Sequence, residues 1–236
     1  MALRKDGRVN APRPRPPGRP PGRPKASESP ASADEILLAA LRAFAERGYD
    51  GMSVRDLTQQ LGVSHNLIFQ RFGRKEQLWS AAVDRFFEPL VGVLDHIVDE
   101  ANDSSDDPLA TYREAIVAFV EANARMPELA RLMNIEAATD SDRLTYLFDK
   151  FIVRSVASMA RLHGRLLERG VVRPVPPVTL FFLLGFGAPA PASHVPLARL
   201  LDPADPLDPI VARHHAEAVA DLFLAGIQTP GGRRRR

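Results

Sequence analysis

The sequence predicts an all-α protein, because apolar residues recur at helical spacing in one segment after another, between capping side chains and glycine or proline. The clearest segment follows Ser32-Ala-Asp-Glu35, which has the form of a capping box. It predicts a helix of about four turns that stops at Gly48. A seventh helix is expected to start at Thr139 or Ser141 and to run to Gly170. Its apolar stripe consists of Leu144, Phe148, Phe151, Ser155, Met159, Leu162 and Leu166.

Two short helices follow the first one and are separated by a tight glycine corner. Ser53 is placed to cap the second helix, Gly62 to end it, and Ser64 to cap a third helix directly afterwards. Two short helices joined by so short a corner must cross steeply, which is the geometry of a helix-turn-helix.

The third helix combines packing positions with outward polar groups. Leu67, Ile68, Phe69 and Phe72 include the positions that pack against the first two helices, whereas His65, Asn66, Gln70 and Arg71 fall largely elsewhere. A helix with such groups can enter a DNA major groove, with Arg74 and Lys75 beyond it for phosphates. A small surface helix with solvent contacts is the alternative, since this motif also occurs in proteins that bind no DNA.

The remaining helices are longer and more apolar. A fourth helix is interrupted by Pro89, a fifth starts at Asp107-Pro108, and a sixth starts at Pro127. Two further apolar segments, 178–186 and 208–227, are separated by a loop that is rich in proline.

Charge is segregated along the chain. Residues 1–33 carry a net charge of +6, the last four residues add +4, and the rest carries −8, which gives the overall +2. The basic segments 1–31, which is also rich in proline, and 229–236 are predicted to be disordered. They either reach a polyanionic partner or only keep the ends soluble.

The composition indicates in which cellular compartment the protein is expected. There is no cysteine, which excludes disulfides, thiolate metal sites and a cysteine nucleophile, and fits a reducing compartment. No secretory signal is visible, and the continuous apolar run 178–188 is too short for a bilayer helix. We expect a cytoplasmic protein without a membrane segment.

Residues 39–79 resemble the TetR family of transcriptional regulators. Members of this family show a glycine-aromatic step, a Ser/Thr cap, Gly-Val-Ser, Tyr-x-x-Phe and Lys-Glu-x-Leu in this order. The corresponding elements here are Gly48-Tyr49, Ser53, Gly62-Val63-Ser64, Phe69-x-x-Phe72 and Lys75-Glu-Gln-Leu78.

The resemblance implies an all-helical homodimer that binds a palindromic DNA operator. Residues 32–78 would form a three-helix DNA-binding head, and residues 79–228 a helical body for effector binding and dimerisation. The DNA contacts carried over are Ser53, Arg55, Ser64, His65, Asn66, Leu67, Phe69, Gln70, Arg71, Arg74 and Lys75.

Three positions depart from the family pattern. Phe69 replaces the usual tyrosine and lacks a hydroxyl, Arg71 stands where histidine or tyrosine is common, and Thr58 stands where alanine is frequent. We expect DNA binding to persist with an altered base preference, because the lost hydroxyl removes one neutral hydrogen bond whereas Arg71 adds a charge.

The body is expected to hold a small, apolar effector and a dimer seam. The candidate ligand-binding residues are Phe119, Asn123, Met126, Met133, Phe148, Phe151, Met159 and His163, and Asn134 is a further polar candidate. The candidate dimerisation residues are Phe181, Leu184, Val219, Leu222 and Phe223, in helices that form a four-helix bundle in the family.

The predicted function is therefore a transcriptional regulator, with repression and effector release favoured by family analogy. Two alternatives stay open: an architectural DNA binder that works through its basic arms, and a helical enzyme. No nucleophile elbow, phosphate-binding loop or His-Glu-x-x-His motif is present, and His214, His215 and Glu217 have no partnering ligands nearby in the sequence. We predict no catalytic site, no metal and no cofactor.

Overall fold

The computed structural model describes residues 31–104 and 107–229, which form a succession of helices. Their bounds are α1 (Ala33–Gly51), α2 (Val54–Leu61), α3 (His65–Phe72), α4 (Lys75–Ser104), α5 (Pro108–Arg125), α6 (Pro127–Glu136), α7 (Asp142–Leu147), α8 (Val153–Glu168), α9 (Pro177–Phe182), α10 (Ala190–Ser193), α11 (Val195–Leu201) and α12 (Pro209–Ile227). A π-helical stretch, Phe148–Ile152, joins α7 to α8, and a second, Leu183–Gly187, extends α9. The all-α prediction is confirmed.

Part of the predicted domain organisation lies outside these ranges. Residues 1–30 and 230–236, which make up nearly all of the two basic terminal segments, are not among the described residues. The described residues, 31–104 and 107–229, belong to one compact unit. The division into a head and a body at residue 78 stays a prediction.

The first helix begins where the capping box predicts. The Glu35 backbone N–H donates to Ser32 Oγ at 3.2 Å, and the Ser32 N–H donates to Glu35 Oε2 at 2.7 Å. Gly48 has a φ of 71°, which fits the predicted left-handed residue, but helical bonding resumes and continues to Gly51. The glycine therefore makes a kink rather than the end of α1.

Gly62 closes α2 in the left-handed region, with a φ of 64°. We expect Gly62→Ala to lower the free energy of unfolding by about 1 kcal/mol in urea denaturation, because an L-residue is strained there. A Cβ at this position would meet no atom within 4 Å, so the cost is conformational alone.

Gly92→Ala is the matched control, since its Cβ also meets nothing within 4 Å but the residue lies inside α4. It should raise the free energy of unfolding by roughly 0.5–1 kcal/mol. A Gly62→Ala protein as stable as the parent would contradict the strain argument.

Two large apolar cores and one small alanine cluster lie along the described part of the chain. The first is formed by α1, α2, α3, the first half of α4, α6 and α7. The second is formed by the second half of α4 with α5, α8, the π-helical extension of α9, and α12. Along α4, Phe87 and Val91 belong to the first core and Leu94 belongs to the second.

Between its two halves, α4 continues through Pro89. This proline has no N–H, so the Arg85 carbonyl lacks its usual helical donor. The predicted interruption at Pro89 is therefore a missing hydrogen bond inside one helix and not a break between two helices.

The long helix predicted from Ser141 is present but carries an unpredicted wide turn. Ser141 Oγ accepts from the Leu144 N–H at 3.2 Å, and helical structure continues to Glu168 through the π-helical stretch. Because a π-turn holds an extra residue, Leu147 rather than Phe148 lies under Phe151. Leu147 is fully buried and Phe148 is 51% exposed, so the prediction of Phe148 as a stripe residue was wrong.

The segment between α9 and α12 was predicted as a loop and instead contains α10 and α11. Pro191 and Pro196 lie in the first turns of these helices. Proline is compatible with a helix there, because the first N–H groups have no helical acceptor. Prolines that indicate a loop can therefore equally start short helices.

The apolar run 178–188 was expected to be a buried or interface helix. Here α9 and its π-helical extension cover this run, and Leu180 and Leu184 are buried while Phe182 and Leu183 are exposed. Within the ranges that the structure describes, no helix combines the length and the apolar character needed to cross a bilayer.

Candidate nucleic-acid interface and effector cavity

The corner between α2 and α3 is built by local hydrogen bonds. The Val63 N–H donates to the Thr58 carbonyl at 3.1 Å, and Ser64 Oγ accepts from the Leu67 N–H at 3.1 Å. Thr58 is buried, and its hydroxyl donates to the Arg55 carbonyl at 2.7 Å. Threonine is thus accommodated without an unsatisfied group at a position where the family favours alanine.

One side of α3 anchors the helix and the other faces outward. Ile68 is almost fully buried, and Leu67 and Phe72 are half-buried against the first core. The side chains that are exposed on the outer side are His65, Asn66, Phe69, Gln70 and Arg71. Of the predicted DNA contacts on α3, Leu67 is therefore the one directed partly inward.

Arg71 has a partner that the sequence did not indicate. Its Nη1 donates to the backbone carbonyl of Ala31 at 3.0 Å. Ala31 lies directly before the Ser32 cap of α1, so Arg71 connects the start of α1 to α3. Among the described residues, Ala31 is the hydrogen-bond partner of this guanidinium, which has further N–H groups to donate.

The remaining predicted DNA contacts lie on both sides of α3. Ser53 Oγ and Ser64 Oγ serve as helix caps, and Arg55 and Arg74 are exposed. Lys75 is half-buried, and its Nζ lies 4.6 Å from the centroid of the Tyr49 ring.

Tyr49 forms the centre of a charged cluster that the sequence did not reveal. Its ring has Lys75 Nζ at 4.6 Å and the Arg143 guanidinium at 4.1 Å from its centroid. Arg143 Nε in turn donates to both carboxylate oxygens of the buried Glu136, at 3.1 and 3.0 Å. Burial raises the pKa of the Tyr49 hydroxyl, Glu76 adds to this, and Arg143 opposes it. The cluster connects α1 and the start of α4 with α6 and α7.

A cavity of about 310 Å³ lies between α4, α5, α6, α8 and α9. Six of the eight predicted ligand-binding residues line it: Phe119, Asn123, Met133, Phe151, Met159 and His163. Met126 instead packs against the first core, and Phe148 points to the surface because of the wide turn. Asn134 donates to Ser193 Oγ at 3.4 Å and does not line the cavity.

The polar wall of this cavity comes from three residues. Asn123 Nδ2 donates to the Phe119 carbonyl at 2.9 Å, and Ser155 Oγ donates to the Phe151 carbonyl at 3.1 Å. His163 is 5% exposed, and neither ring nitrogen has a hydrogen-bond partner of normal length. Burial lowers the pKa of His163, and a backbone contact with Arg173 opposes this only in part.

The predicted dimer residues divide between the inside and the outside of the protein. Phe181 and Leu184 line the cavity, and Val219 and Phe223 pack against the second core. Only Leu222, at 76% exposed, is strongly exposed. The sequence could not assign sides here, because the segment around Phe181 is apolar all round.

Other apolar side chains take the outward positions. Val178, Phe182 and Leu183 on α9 and its extension, with Ile210 and Leu222 on α12, are exposed large apolar residues. We call these five residues the apolar face. Exposed apolar surface of this kind is typical of an interaction site.

Among the residues that the structure describes, no group of three or more metal-ligating side chains comes together. His214 is exposed, and His215 Nε2 lies 2.9 Å from the Ala188 carbonyl.

Comparison with known proteins supports the helix-turn-helix assignment. Residues 36–82, from α1 to the start of α4, match the model of the family described as "Bacterial regulatory proteins, tetR family". The HTH-type transcriptional repressor Rv3405c of Mycobacterium tuberculosis is 33% identical over 116 residues, which are 47% of this chain and 62% of that protein. The HTH-type transcriptional repressor AcnR of Corynebacterium efficiens is 50% identical over 50 residues, which are 21% of this chain and 27% of that protein. The chain thus spans less than two thirds of the length of these relatives.

Solved structures agree over most of the chain. The ketosteroid transcriptional regulator KstR2 of Mycobacterium tuberculosis has a TM-score of 0.63 at 20% identity, and covers 83% of this chain and 94% of its own. The TetR-family regulator PfmR of Thermus thermophilus has a TM-score of 0.57 at 22% identity, and covers 85% and 99%. These similarities concern the fold.

The fold and the exposed third helix define a helix-turn-helix protein with an all-helical body. Within this class, residues 36–82 match the TetR family of bacterial regulatory proteins, and the relatives named above are similar to this chain. The resemblance drawn from residues 39–79 is confirmed.

Proposed function

We propose that this protein is a transcriptional regulator that binds a DNA operator through α3 and represses the genes beside it. The observation that carries the proposal is the outward polar side of α3, where Asn66, Gln70 and Arg71 are exposed on a helix anchored by Ile68. Such side chains can reach base edges in a major groove. The names of the relatives as transcriptional repressors favour repression.

The proposal includes a homodimer formed through the body. The apolar face on α9 and α12 would be covered by the same face of a second copy, since a two-fold axis requires self-complementary surfaces. In this arrangement residues 32–78 act as the DNA-binding head, and residues 79–228 bind the effector and dimerise.

The effector would occupy the cavity and release the operator. A ligand that favours one spacing of the two heads changes operator affinity by its differential binding, typically by about 5- to 150-fold. This function requires no catalytic step, no metal and no cofactor. It would be carried out in the cytoplasm, where the DNA is.

Selection of bound fragments from random double-stranded DNA tests the function. We expect a palindromic sequence whose half-sites lie about one DNA turn, roughly 34–36 Å, apart. The protein should bind the selected operator as a dimer in analytical ultracentrifugation. Recovery of fragments without sequence preference would instead indicate an architectural protein that binds through its basic segments.

A further inference from the structure

The cavity restricts the charge of its occupant. None of the described side chains that line it is an Asp, Glu, Lys or Arg. His163 is the one ionisable side chain among them, and its burial favours the neutral form. An ion placed here would lose its hydration without gaining a counter-charge, which is strongly unfavourable.

The polar wall also restricts the hydrogen bonding of the occupant. Ser155 uses its single hydroxyl hydrogen on the Phe151 carbonyl, so it presents only lone pairs to the cavity. Asn123 directs its amide nitrogen to the Phe119 carbonyl, and the opposite orientation would bring two oxygens together. Its Oδ1 therefore remains as an acceptor beside the second N–H of the amide, and the neutral ring of His163 adds one donor and one acceptor. A hydroxyl, which donates and accepts, fits this set of groups.

The lining of the cavity follows one continuous stretch of helix over much of its length. Along the π-helical stretch and α8, lining positions run from Phe151 to Leu167, which corresponds to about 24 Å at the rise of an α-helix. A volume of about 310 Å³ spread over this length leaves room for one slender molecule.

We propose that the effector is an uncharged, elongated apolar molecule with one hydrogen-bond donor such as a hydroxyl, and that the cavity discriminates against acids and cations of the same length. That the ligand acts as an effector rests on the proposed regulatory function, but the binding preference itself follows from the cavity wall alone.

Titration calorimetry with matched ten-carbon probes tests the charge preference. The probes are 1-decanol, decanoate and decyltrimethylammonium at pH 7.5, below the concentrations at which the charged probes form micelles. We expect 1-decanol to bind at least tenfold more tightly than either charged probe. Equal or tighter binding of decanoate or decyltrimethylammonium would overturn the proposal, as would an absence of 1-decanol binding.

A second comparison tests the donor. Methyl decyl ether has an acceptor but no donor, and should bind several-fold more weakly than 1-decanol. In Ser155→Ala with Asn123→Leu, this difference should shrink, because two of the three wall acceptors are gone and only the unprotonated nitrogen of His163 remains, while ether binding is retained. A preference for 1-decanol as large in the double variant as in the parent would show that Ser155 and Asn123 do not recognise the donor.

A pair of glycine variants tests whether 1-decanol binds in this cavity. Gly164 lines the cavity, and a Cβ there meets nothing within 4 Å, so Gly164→Leu should fill the space and abolish 1-decanol binding. Gly92 also has open space around its Cβ but does not line the cavity, so Gly92→Leu should bind as the parent does. Equal binding by both variants would place the probe elsewhere and overturn the assignment.

These titrations contain no DNA. Operator binding by the ligand-free protein, measured in parallel, tests the regulatory function separately. If the protein prefers 1-decanol but binds no operator, only the regulatory function is refuted. If it binds an operator but does not prefer 1-decanol, only the proposed ligand class is refuted.

Discussion

Replacing Arg71 with alanine is expected to weaken binding to the preferred operator by roughly 5- to 150-fold, or about 1–3 kcal/mol. The side chain is exposed on α3, and its Nη1 is held by the Ala31 carbonyl at 3.0 Å. The remaining guanidinium donors are thereby fixed in direction and can bind a guanine edge or a phosphate. Fluorescence anisotropy with the selected operator measures the loss.

The pattern of the loss identifies the role of Arg71. If Arg71 reads a base, the loss is larger on the preferred operator than on unrelated DNA, and preference relaxes at one base position. Arg71→Lys keeps the charge but loses the fork, so it should restore phosphate attraction without restoring base preference. Arg47→Ala, on α1, removes an exposed arginine outside α3 and sets the baseline for lost charge. A loss no larger than that of Arg47→Ala would remove Arg71 from the contact surface.

Replacing Arg143 with alanine is expected to lower the free energy of unfolding by about 2–4 kcal/mol. Glu136 is 2% exposed, and Arg143 Nε donates to both of its carboxylate oxygens. Without Arg143 the carboxylate stays buried and uncompensated, and Tyr49 loses the cation over its ring. Urea denaturation measures the change.

The double variant Glu136→Gln with Arg143→Met separates the buried charge from the packing. It removes both charges and keeps similar volumes, so it should recover much of the stability lost in Arg143→Ala. Thr139→Ala, at an exposed site between α6 and α7, should change stability little. A loss below about 1 kcal/mol in Arg143→Ala would show that water reaches Glu136 once the arginine is removed.

Local chemistry explains the parts of the fold that the sequence predicted well. The caps Ser32, Ser53 and Ser64 bond to backbone groups three residues away, so their partners are readable from the sequence. The same holds for the left-handed Gly62, because its conformation depends on its own missing Cβ. The helix-turn-helix, built from these signals, was therefore accessible.

Long-range packing explains the parts that the sequence did not predict. The partners of Tyr49 are 26 and 94 positions away along the chain, and no local pattern indicates that they meet its ring. The apolar segment around Phe181 does not show which side faces the cavity, because every side would fit an apolar neighbour. The pairing of Arg71 with the Ala31 carbonyl likewise depends on the placement of α1 beside α3.

The wide turn at Phe148–Ile152 determines how the side chains before it and after it are rotated relative to each other around the helix axis. Leu147 in the first core and Leu166 in the second are 19 positions apart along the chain. An unbroken α-helix, turning about 100° per residue, would direct these two side chains about 100° away from each other. The extra residue in the wide turn compensates for this rotation. Leu147 can therefore face the first core while Leu166 faces the second. Deletion of one residue in this stretch would make the helix more regular. Its side chains could then face only one of the two cores correctly.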